Sequence, residues 1–441
     1  NIMHKKKAKK RGIPIFILIL LFLIPAAVSE EAELIYNSKN IDLKLDISSK
    51  LSIDEAGSGA KIDSLTAQMS FFPVNDYLQE VKSLETEPEA EMRDQKLHFE
   101  WTNPDFGEHE FSISSLVNVE NKMTHFDEEI PFPVKGIPDD IERYTEPAGN
   151  IDSDYEAIID KASELVAGED DMFSAVYKLA WWTKNNINYD LSTLTADVSQ
   201  NASWVLKNRE GVCDEITNLF IALCRSVNIP ARFVSGISYT NSDLFVDKWG
   251  PHGWAEVYFP GKGWVPFDVT YGEFGYVDAS HIKLMTSIDS QGSSVNYEWL
   301  SHNVDVETFP LEFDVEVEST SGKLEDLFTF EASVLKNRAA FGSYNVVEVD
   351  IENPTTYYLP VLLFISKTTG LEVLGEKSQQ VLMPPNSKKK IFWIVHVGNN
   401  LDSKFRYTFP IQVYTQRNDT SEVEFISDDE SNTYTLEEME E

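Results

Sequence analysis

The sequence is poor in cysteine, and its acidic residues far outnumber its basic ones. Two cysteines, Cys213 and Cys224, occur in 441 residues, which excludes a disulfide-rich scaffold. Lysine and arginine total 37 against 73 aspartates and glutamates, so the formal net charge is −36. This balance argues against a nucleic-acid partner, because phosphate contacts need clusters of basic side chains. The acidic excess is typical of a solvated surface that keeps a protein soluble.

The apolar run near the N-terminus, residues 13–28, is short for a helix that crosses a membrane, which needs about 20 residues. A basic run, residues 5–11, precedes it, and the small residues 27–29 end it. This order is typical of a secretory signal. Residues 1–29 are therefore predicted to be a cleaved signal peptide, with an uncleaved membrane anchor as the alternative. Both predict that residues 30–441 are extracellular or at the cell surface, either secreted or membrane-anchored.

Hydrophobic periodicity divides the remaining chain into regions of different secondary structure. Residues 30–145 carry apolar residues in alternation, as at Ile41, Leu43 and Leu45, and predict an N-terminal β domain. In residues 146–304, patterns of helical period come first and strand patterns follow, which predicts an α+β domain.

The C-terminal part of the chain returns to strand patterns. Residues 305–426 contain repeated strand candidates separated by turns, which predict a β-sandwich of immunoglobulin-like type. Residues 427–441 are an acidic tail, which we expect to be disordered.

The two cysteines are predicted to stay unpaired with each other. Both fall in or beside one predicted helix, residues 216–227, about 16 Å apart along its axis. A disulfide tolerates Cα separations of at most about 7 Å. Cys224 lies among apolar residues and is interpreted as a buried hydrophobic side chain. Cys213 is left as a free thiol at the start of a helix, where unpaired backbone N–H groups favour negative charge.

A histidine and an aspartate follow Cys213 in an order that predicts an activated thiol nucleophile. Cys213 would attack, His252 would hold the proton, and Asp268 would orient the imidazole. His252 and Asp268 lie on two predicted strands joined by a turn near Pro260. An odd-length loop places the two side chains on the same face, either directly opposite or one diagonal apart. An even-length loop would place them on opposite faces.

Negative charge beside the thiol is expected to complicate this chemistry. Asp214 and Glu215 suit the start of a helix but oppose a neighbouring thiolate, so the imidazolium of His252 must supply the counter-charge. Two further polar residues, Glu256 and His281, are interpreted as structural. The histidines are scattered, so neither a metal nor another cofactor is predicted.

Stabilisation of the oxyanion requires hydrogen-bond donors near the nucleophile. The backbone N–H of Cys213 is the natural first donor. A tryptophan indole is a candidate for the second donor, from Trp181, Trp182 or Trp204.

Several segments together resemble the core of the transglutaminase-like superfamily. These segments are Gly211-Val212-Cys213, Asn228-Ile229-Pro230-Ala231-Arg232, His252-Gly253-Trp254-Ala255-Glu256 and Gly263-Trp264-Val265-Pro266-Phe267-Asp268. The resemblance covers about residues 150–290. It implies an α+β, papain-like transglutaminase core with Cys213 as nucleophile, His252 as base and Asp268 as orienting group. Gly253 and Val269 depart from the residues usual in the family, and neither departure removes a catalytic group.

The expected function is cysteine-dependent acyl transfer or hydrolysis on amide bonds of proteins or peptides. The acyl group would pass to an amine, as in crosslinking, or to water, as in proteolysis or deamidation, and the sequence does not choose between them. The alternative is a non-catalytic surface binding or scaffold protein, since β domains flank the core on both sides. A buried Cys213, or His252 and Asp268 on opposite faces of the hairpin, would favour that alternative.

Overall fold

A computed structural model describes the chain over residues 18–20, 30–193, 199–242 and 244–440. The predicted signal peptide or anchor, residues 1–29, lies almost entirely outside these ranges. Among the helices that the described ranges contain, none has both the length and the apolarity needed to cross a membrane.

The chain divides into two compact units. One consists of Val28–Asp326 and Thr355–Val361, and it contains a β module and an α+β core. The other contains most of the remaining residues.

The β module is built on strands whose side chains alternate between a buried and a solvated face. In the strand Ser38–Glu55, Ile41, Leu43 and Leu45 are buried while the residues between them are partly exposed. The helix Glu30–Asn37 precedes this strand. One sheet has the order Val304–Thr308, Ser38–Glu55, Gly107–Glu120 and Gln79–Glu87, with Glu312–Lys323 also paired to Ser38–Glu55. The other has the order Val295–His302, Lys61–Met69, Lys96–Thr102 and Glu91–Arg93.

Two strands that come after the α+β core return to this β module. Val304–Thr308 and Glu312–Lys323 pair antiparallel with Ser38–Glu55, and Phe313 lies opposite Ile47. Residues from 305 onward are predicted to belong to the C-terminal sandwich, and the structure differs at this boundary. Alternation along a strand identifies its apolar face, but it does not identify the distant strand that completes the sheet.

The α+β core places helices against a five-stranded antiparallel sheet. Its helices are Asp139–Glu142, Glu156–Leu165, Met172–Asn186, Ala202–Asn208 and Cys213–Ser226, with 3₁₀ turns at Arg143–Thr145 and Leu191–Thr193. The sheet has the order Glu273–Phe274, Gly263–Asp268, Trp249–Phe259, Ala231–Tyr239 and Ile282–Ser287. A short parallel pair, Asn188–Tyr189 with Glu210–Gly211, lies outside this sheet.

The helix Cys213–Ser226 is the buried centre of the core. Leu219, Phe220 and Leu223 are fully buried, and burying each such side chain contributes about 1.5–3 kcal/mol. The helix begins three residues earlier than the apolar periodicity predicted, so Cys213 is its first residue rather than part of the preceding loop.

The C-terminal unit is built from β-strands in two sheets. One sheet has the order Arg338–Ala339, Thr420–Ser427, Arg406–Tyr414, Leu359–Ile365 and Ser378–Met383, with Leu18–Leu20 paired to Arg406–Tyr414. The other has the order Thr329–Val334, Tyr344–Asn353, Ser387–Val397 and Leu371–Val373. Its immunoglobulin-like character stays a prediction.

The acidic tail is ordered over its described residues, in contrast to the expected disorder. The carbonyl of Asn432 accepts from the N–H of Ala340 at 2.8 Å, and a helix forms at Leu436–Glu440. Met439 is buried. A few anchoring residues between the acidic ones are therefore enough to fix the tail, although its mean composition predicts otherwise.

Candidate active site

Cys213 occupies the first turn of the helix Cys213–Ser226 and is half-buried. Its thiol is free, as is that of Cys224, which is fully buried further along the same helix. The prediction that the two cysteines do not pair is confirmed. Unpaired N–H groups at the start of a helix favour an anion, and a thiolate is the nucleophilic form of cysteine.

The carboxylate of Glu215 fixes the backbone just before the nucleophile. Its Oε2 accepts from the N–H of Val212 at 3.0 Å and from the hydroxyl of Thr193 at 2.9 Å. Its Oε1 accepts from the N–H of Gln200 at 3.0 Å. Gly211 leaves room for this arrangement, because a Cβ there would lie 3.1 Å from the Cβ of Glu215.

The expected crowding of the thiol by negative charge is reduced in two ways. The negative charge of Glu215 is partly neutralised by three hydrogen-bond donors, which are the N–H groups of Val212 and Gln200 and the hydroxyl of Thr193. Burial raises the pKa of Asp214, against the opposing effect of a hydrogen bond from Ser199, and so favours its neutral form. The thiol therefore meets less negative charge than the sequence Cys213-Asp214-Glu215 suggests.

The hairpin brings His252 and Asp268 onto the same face. Ala255 lies opposite Phe267 in the register of the two strands. This register puts Asp268 across from Trp254 and one diagonal from His252. His252 Nε2 and Asp268 Oδ2 are 2.6 Å apart, and both side chains are buried. The loop parity that the triad requires is thus present, in the diagonal form.

His252 connects the carboxylate to the thiol. Its Nε2 faces Asp268, and the ring also interacts with Cys213, which leaves Nδ1 for the thiol. Burial lowers the pKa of His252, but the charge and hydrogen bond of Asp268, together with Cys213, outweigh this and raise it to about 9. The imidazolium form is therefore favoured at neutral pH. The ring of Tyr271 stacks on the imidazole at 4.7 Å and fixes its plane.

Both carboxylate oxygens of Asp268 accept hydrogen bonds, which hold the side chain in place. Oδ1 accepts from the N–H of Thr270 at 2.7 Å and from that of Tyr271 at 2.9 Å. Oδ2 faces both His252 and His281. Burial raises the pKa of Asp268, but the two histidines outweigh this and hold it well below its usual range.

The two residues interpreted as structural have different environments. Glu256 pairs with Arg232 at 2.6 Å and with Lys283 at 2.5 Å, which is a structural ion-pair arrangement. His281, by contrast, lies 3.2 Å from Asp268 Oδ2 and so touches the candidate site directly. Nothing in its local sequence indicates this contact, because a loop separates it from the hairpin.

Tyr189 is a site residue that sequence reasoning missed. Its phenol interacts with Cys213, and burial together with this interaction raises the pKa of Tyr189. The short parallel pairing of Tyr189 with Gly211 brings it there. Among the candidate indole donors, Trp182 packs under the guanidinium of Arg209 at 4.6 Å and Trp181 is 40% exposed, and a second oxyanion donor from an indole stays a prediction.

Two clusters, each of three buried side chains, contain the histidine and carboxylate groups that often bind metals. They are His252, Asp268 and His281, and Glu273, Asp278 and His281, each with ligand atoms within 4.8 Å of one another. The spacing of these residues along the chain matches no clustered ligand motif, so the sequence does not indicate either group. Hydrogen bonds between histidines and carboxylates account for the short distances in both groups. The groups form a continuous ion-pair network behind His252.

Protonation of His252 should couple the stability of the fold to pH. Because the pKa of His252 is raised from 6.5 to about 9, its contribution is complete below pH 6.5 and is lost as the pH rises through about 9. The difference corresponds to about 3 kcal/mol. We expect urea unfolding at pH 6 and pH 10 to show this loss in the wild type and a smaller loss in His252→Gln. The exposed His302→Gln is the control, and equal losses in all three proteins would refute the coupling.

Part of the α+β core matches the model of one known protein family. Residues 159–269, which include all three members of the Cys213–His252–Asp268 group, match the family model of the transglutaminase-like superfamily. The chain therefore contains a transglutaminase-like domain.

Individual proteins resemble parts of the chain. The uncharacterized protein YebA of Bacillus subtilis (strain 168) is 31% identical over 136 residues, which are 27% of this chain and 18% of YebA. A structure titled "Putative Cysteine Protease" from Cytophaga hutchinsonii is 18% identical and covers 65% of this chain and 94% of its own, with a TM-score of 0.48. Red sea bream transglutaminase is 9% identical and covers 85% and 78%, with a TM-score of 0.25.

Proposed function

We propose that this protein is an exported cysteine-dependent enzyme that transfers or hydrolyses acyl groups from amide bonds of proteins or peptides. The observation that carries the proposal is the position of His252, which hydrogen-bonds to Asp268 at 2.6 Å on one side and interacts with Cys213 on the other. The features expected of a non-catalytic scaffold, a buried Cys213 and a split hairpin, are not those of the described residues.

The first half of the reaction follows from these contacts. The sulfur of Cys213 attacks the carbonyl carbon of a carboxamide or peptide bond, and Nδ1 of His252 holds the proton that the thiol has lost. The backbone N–H of Cys213 donates to the oxyanion. The C–N bond then breaks, the proton passes from His252 to the leaving nitrogen, and ammonia or an amine departs. The product is a thioester on Cys213.

The second half passes the acyl group to an amine or to water. An incoming nucleophile gives its proton to His252 as it attacks the thioester, and the thiol is restored. An amine acceptor produces a crosslink, and water produces a carboxylic acid by proteolysis or deamidation. The same residues serve both outcomes, so the acceptor has to be determined by experiment.

Mass spectrometry of products from glutamine-containing peptides tests the proposal and separates the outcomes. Purified protein is incubated with such peptides, with and without an added primary amine. An amine adduct identifies transfer, conversion of glutamine to glutamate identifies deamidation, and backbone fragments identify proteolysis. A sample pretreated with iodoacetamide is the control and should form none of these. Products that persist in that control, or no product across a varied peptide panel, would refute the proposed activity.

Export is part of the same proposal and has its own test. The basic run, apolar run and small residues within 1–29 support a cleaved signal. We expect N-terminal sequencing of protein recovered from the cell exterior to begin near residue 30. Retention of residues 1–29 in a membrane fraction would favour the anchor, and recovery in the cytosol would refute export.

A further inference from the structure

The carboxylate that orients His252 is shared with a second, fully buried histidine. Asp268 Oδ2 lies 2.6 Å from His252 Nε2 and 3.2 Å from His281 Nε2. The two imidazole rings are 5.8 Å apart between centroids. A Cys–His–Asp mechanism does not need a second histidine, yet His281 contacts the same carboxylate oxygen as His252.

The hydrogen bonds of His281 require a proton on both ring nitrogens. Its Nε2 faces Asp268, and its Nδ1 faces Asp278 Oδ1 at 3.1 Å and Glu273 Oε2 at 3.9 Å. A neutral imidazole has only one N–H and would direct a lone pair at one of these oxygens. His281 is therefore an imidazolium. Burial opposes this, but the hydrogen bonds to Asp268 and Asp278 outweigh it and raise its pKa well above 6.5.

Other titratable groups face the two histidines from neighbouring elements. Lys184, on the helix Met172–Asn186, donates to the carbonyl of Thr270 at 2.9 Å, and burial lowers its pKa against the charges of Asp268 and Glu273. Burial and the charge of Asp278 raise the pKa of Glu273 and favour its neutral form. The groups facing the histidines are Cys213, Asp268, Tyr271, Glu273, Asp278 and Lys184.

We propose that His281 is a positioning residue that acts as a permanent imidazolium and shares the charge of Asp268 with His252. The proposal rests on the acyl-transfer function proposed above. Asp268 alone would stabilise the His252 imidazolium strongly, and a strongly stabilised imidazolium is a poor acid. A second cation on the same carboxylate oxygen weakens that stabilisation. His252 can then return its proton to the leaving amine while staying correctly oriented.

Replacing His281 with glutamine tests this account, because the amide can still donate to Asp268 Oδ2 without carrying charge. Alkylation of Cys213 by iodoacetamide, followed as a function of pH, reports the titration of His252 without a substrate. When the His252 imidazolium loses its proton, the Cys213 thiolate loses its counter-charge. The plot of alkylation rate against pH then shows a step, or wave, at that pH. We expect this wave to move upward by about one pH unit in His281→Gln, since a positive charge about 6 Å away has been removed.

Glu273→Gln is the matched control, because Glu273 is also buried against His281, and its raised pKa favours the uncharged form that glutamine imitates. We expect its wave to stay where it is in the wild type. A wave in His281→Gln that stays in place or moves downward would overturn the proposal. A wild-type protein whose Cys213 shows no wave linked to His252 would refute the proposed catalytic group itself, and the inference with it.

A measurement on the wild type keeps the test decisive even if His281→Gln does not fold. NMR of the full chain labelled with ¹⁵N-histidine distinguishes imidazolium from neutral imidazole nitrogens. We expect one buried histidine in addition to His252 to stay cationic well above the ordinary histidine pKa. Titration of every other histidine near its ordinary pKa would overturn the proposal.

Discussion

Replacing Cys213 with alanine is expected to reduce acyl transfer by about 10⁵- to 10⁶-fold, to the background rate. The hydroxide or amine acceptor would then have to attack the amide directly, without the thioester that divides the reaction into two easier steps. Steady-state rates on the best glutamine peptide measure the effect. Thermal unfolding should change little, because Cys213 is half-buried at the start of its helix.

Cys224→Ala is the matched control for this substitution. Cys224 is the second thiol of the same helix, and it is fully buried. Its replacement should leave the rate within a few-fold of the wild type and cost about 1 kcal/mol of stability through the space left in the core. Activity that survives in Cys213→Ala, or disappears only in Cys224→Ala, would contradict the assignment of the nucleophile.

Replacing Asp268 with asparagine is expected to lower the rate by about 10³- to 10⁴-fold while the backbone stays in place. The amide oxygen can keep the N–H groups of Thr270 and Tyr271, which turns its NH₂ group toward His252 Nε2. His252 must then accept at Nε2 and carry its proton on Nδ1, facing the thiol. In that tautomer it cannot take the thiol proton.

The same substitution should also destabilise the fold. Two buried histidines lose the carboxylate that they share, and removing one partner of a buried ion pair costs about 3–5 kcal/mol. Because the pKa of Asp268 is held low, its contribution is present above about pH 4 and is lost in the wild type as the pH falls below that value. Urea unfolding from pH 7 to pH 3 should therefore bring wild type and Asp268→Asn closer together.

Asp127→Asn serves as the control for both effects. Asp127 pairs with Lys262 at 2.9 Å on an exposed surface, where solvent screening leaves an ion pair with little effect on stability. Its replacement should leave the rate unchanged. If Asp268→Asn kept more than a tenth of the wild-type rate, Asp268 would not be the group that orients His252.

The hairpin could be predicted from the sequence because its two strands are close together along the chain and are joined by a recognisable turn. The turn near Pro260 and the period of two along a strand allow His252 and Asp268 to share a face, and the structure supplies the odd loop length that this requires. The free state of Cys213 was accessible for the same reason, since the spacing along one helix separates it from Cys224.

The contacts of Tyr189 and His281 could not be predicted, because each depends on a tertiary approach across a loop. Tyr189 reaches Cys213 through a two-residue parallel pairing, which has no sequence signature of its own. His281 meets Asp268 after a chain segment whose path no periodicity describes. The strand Glu312–Lys323 was assigned to the wrong sheet for a related reason, because its partner lies more than 250 residues earlier.

That distant pairing has a consequence for how the protein is made. Gly107–Glu120 can cover one side of Ser38–Glu55 early in synthesis, but the other side stays open until Glu312–Lys323 has left the ribosome. An uncovered strand edge recruits strands from other chains. The sheet of the nascent polypeptide therefore stays unfinished while the whole transglutaminase-like domain is synthesised, and contacts this remote in sequence are slow to form. Slow maturation is the expected consequence of enclosing the transglutaminase-like domain between strands of one sheet.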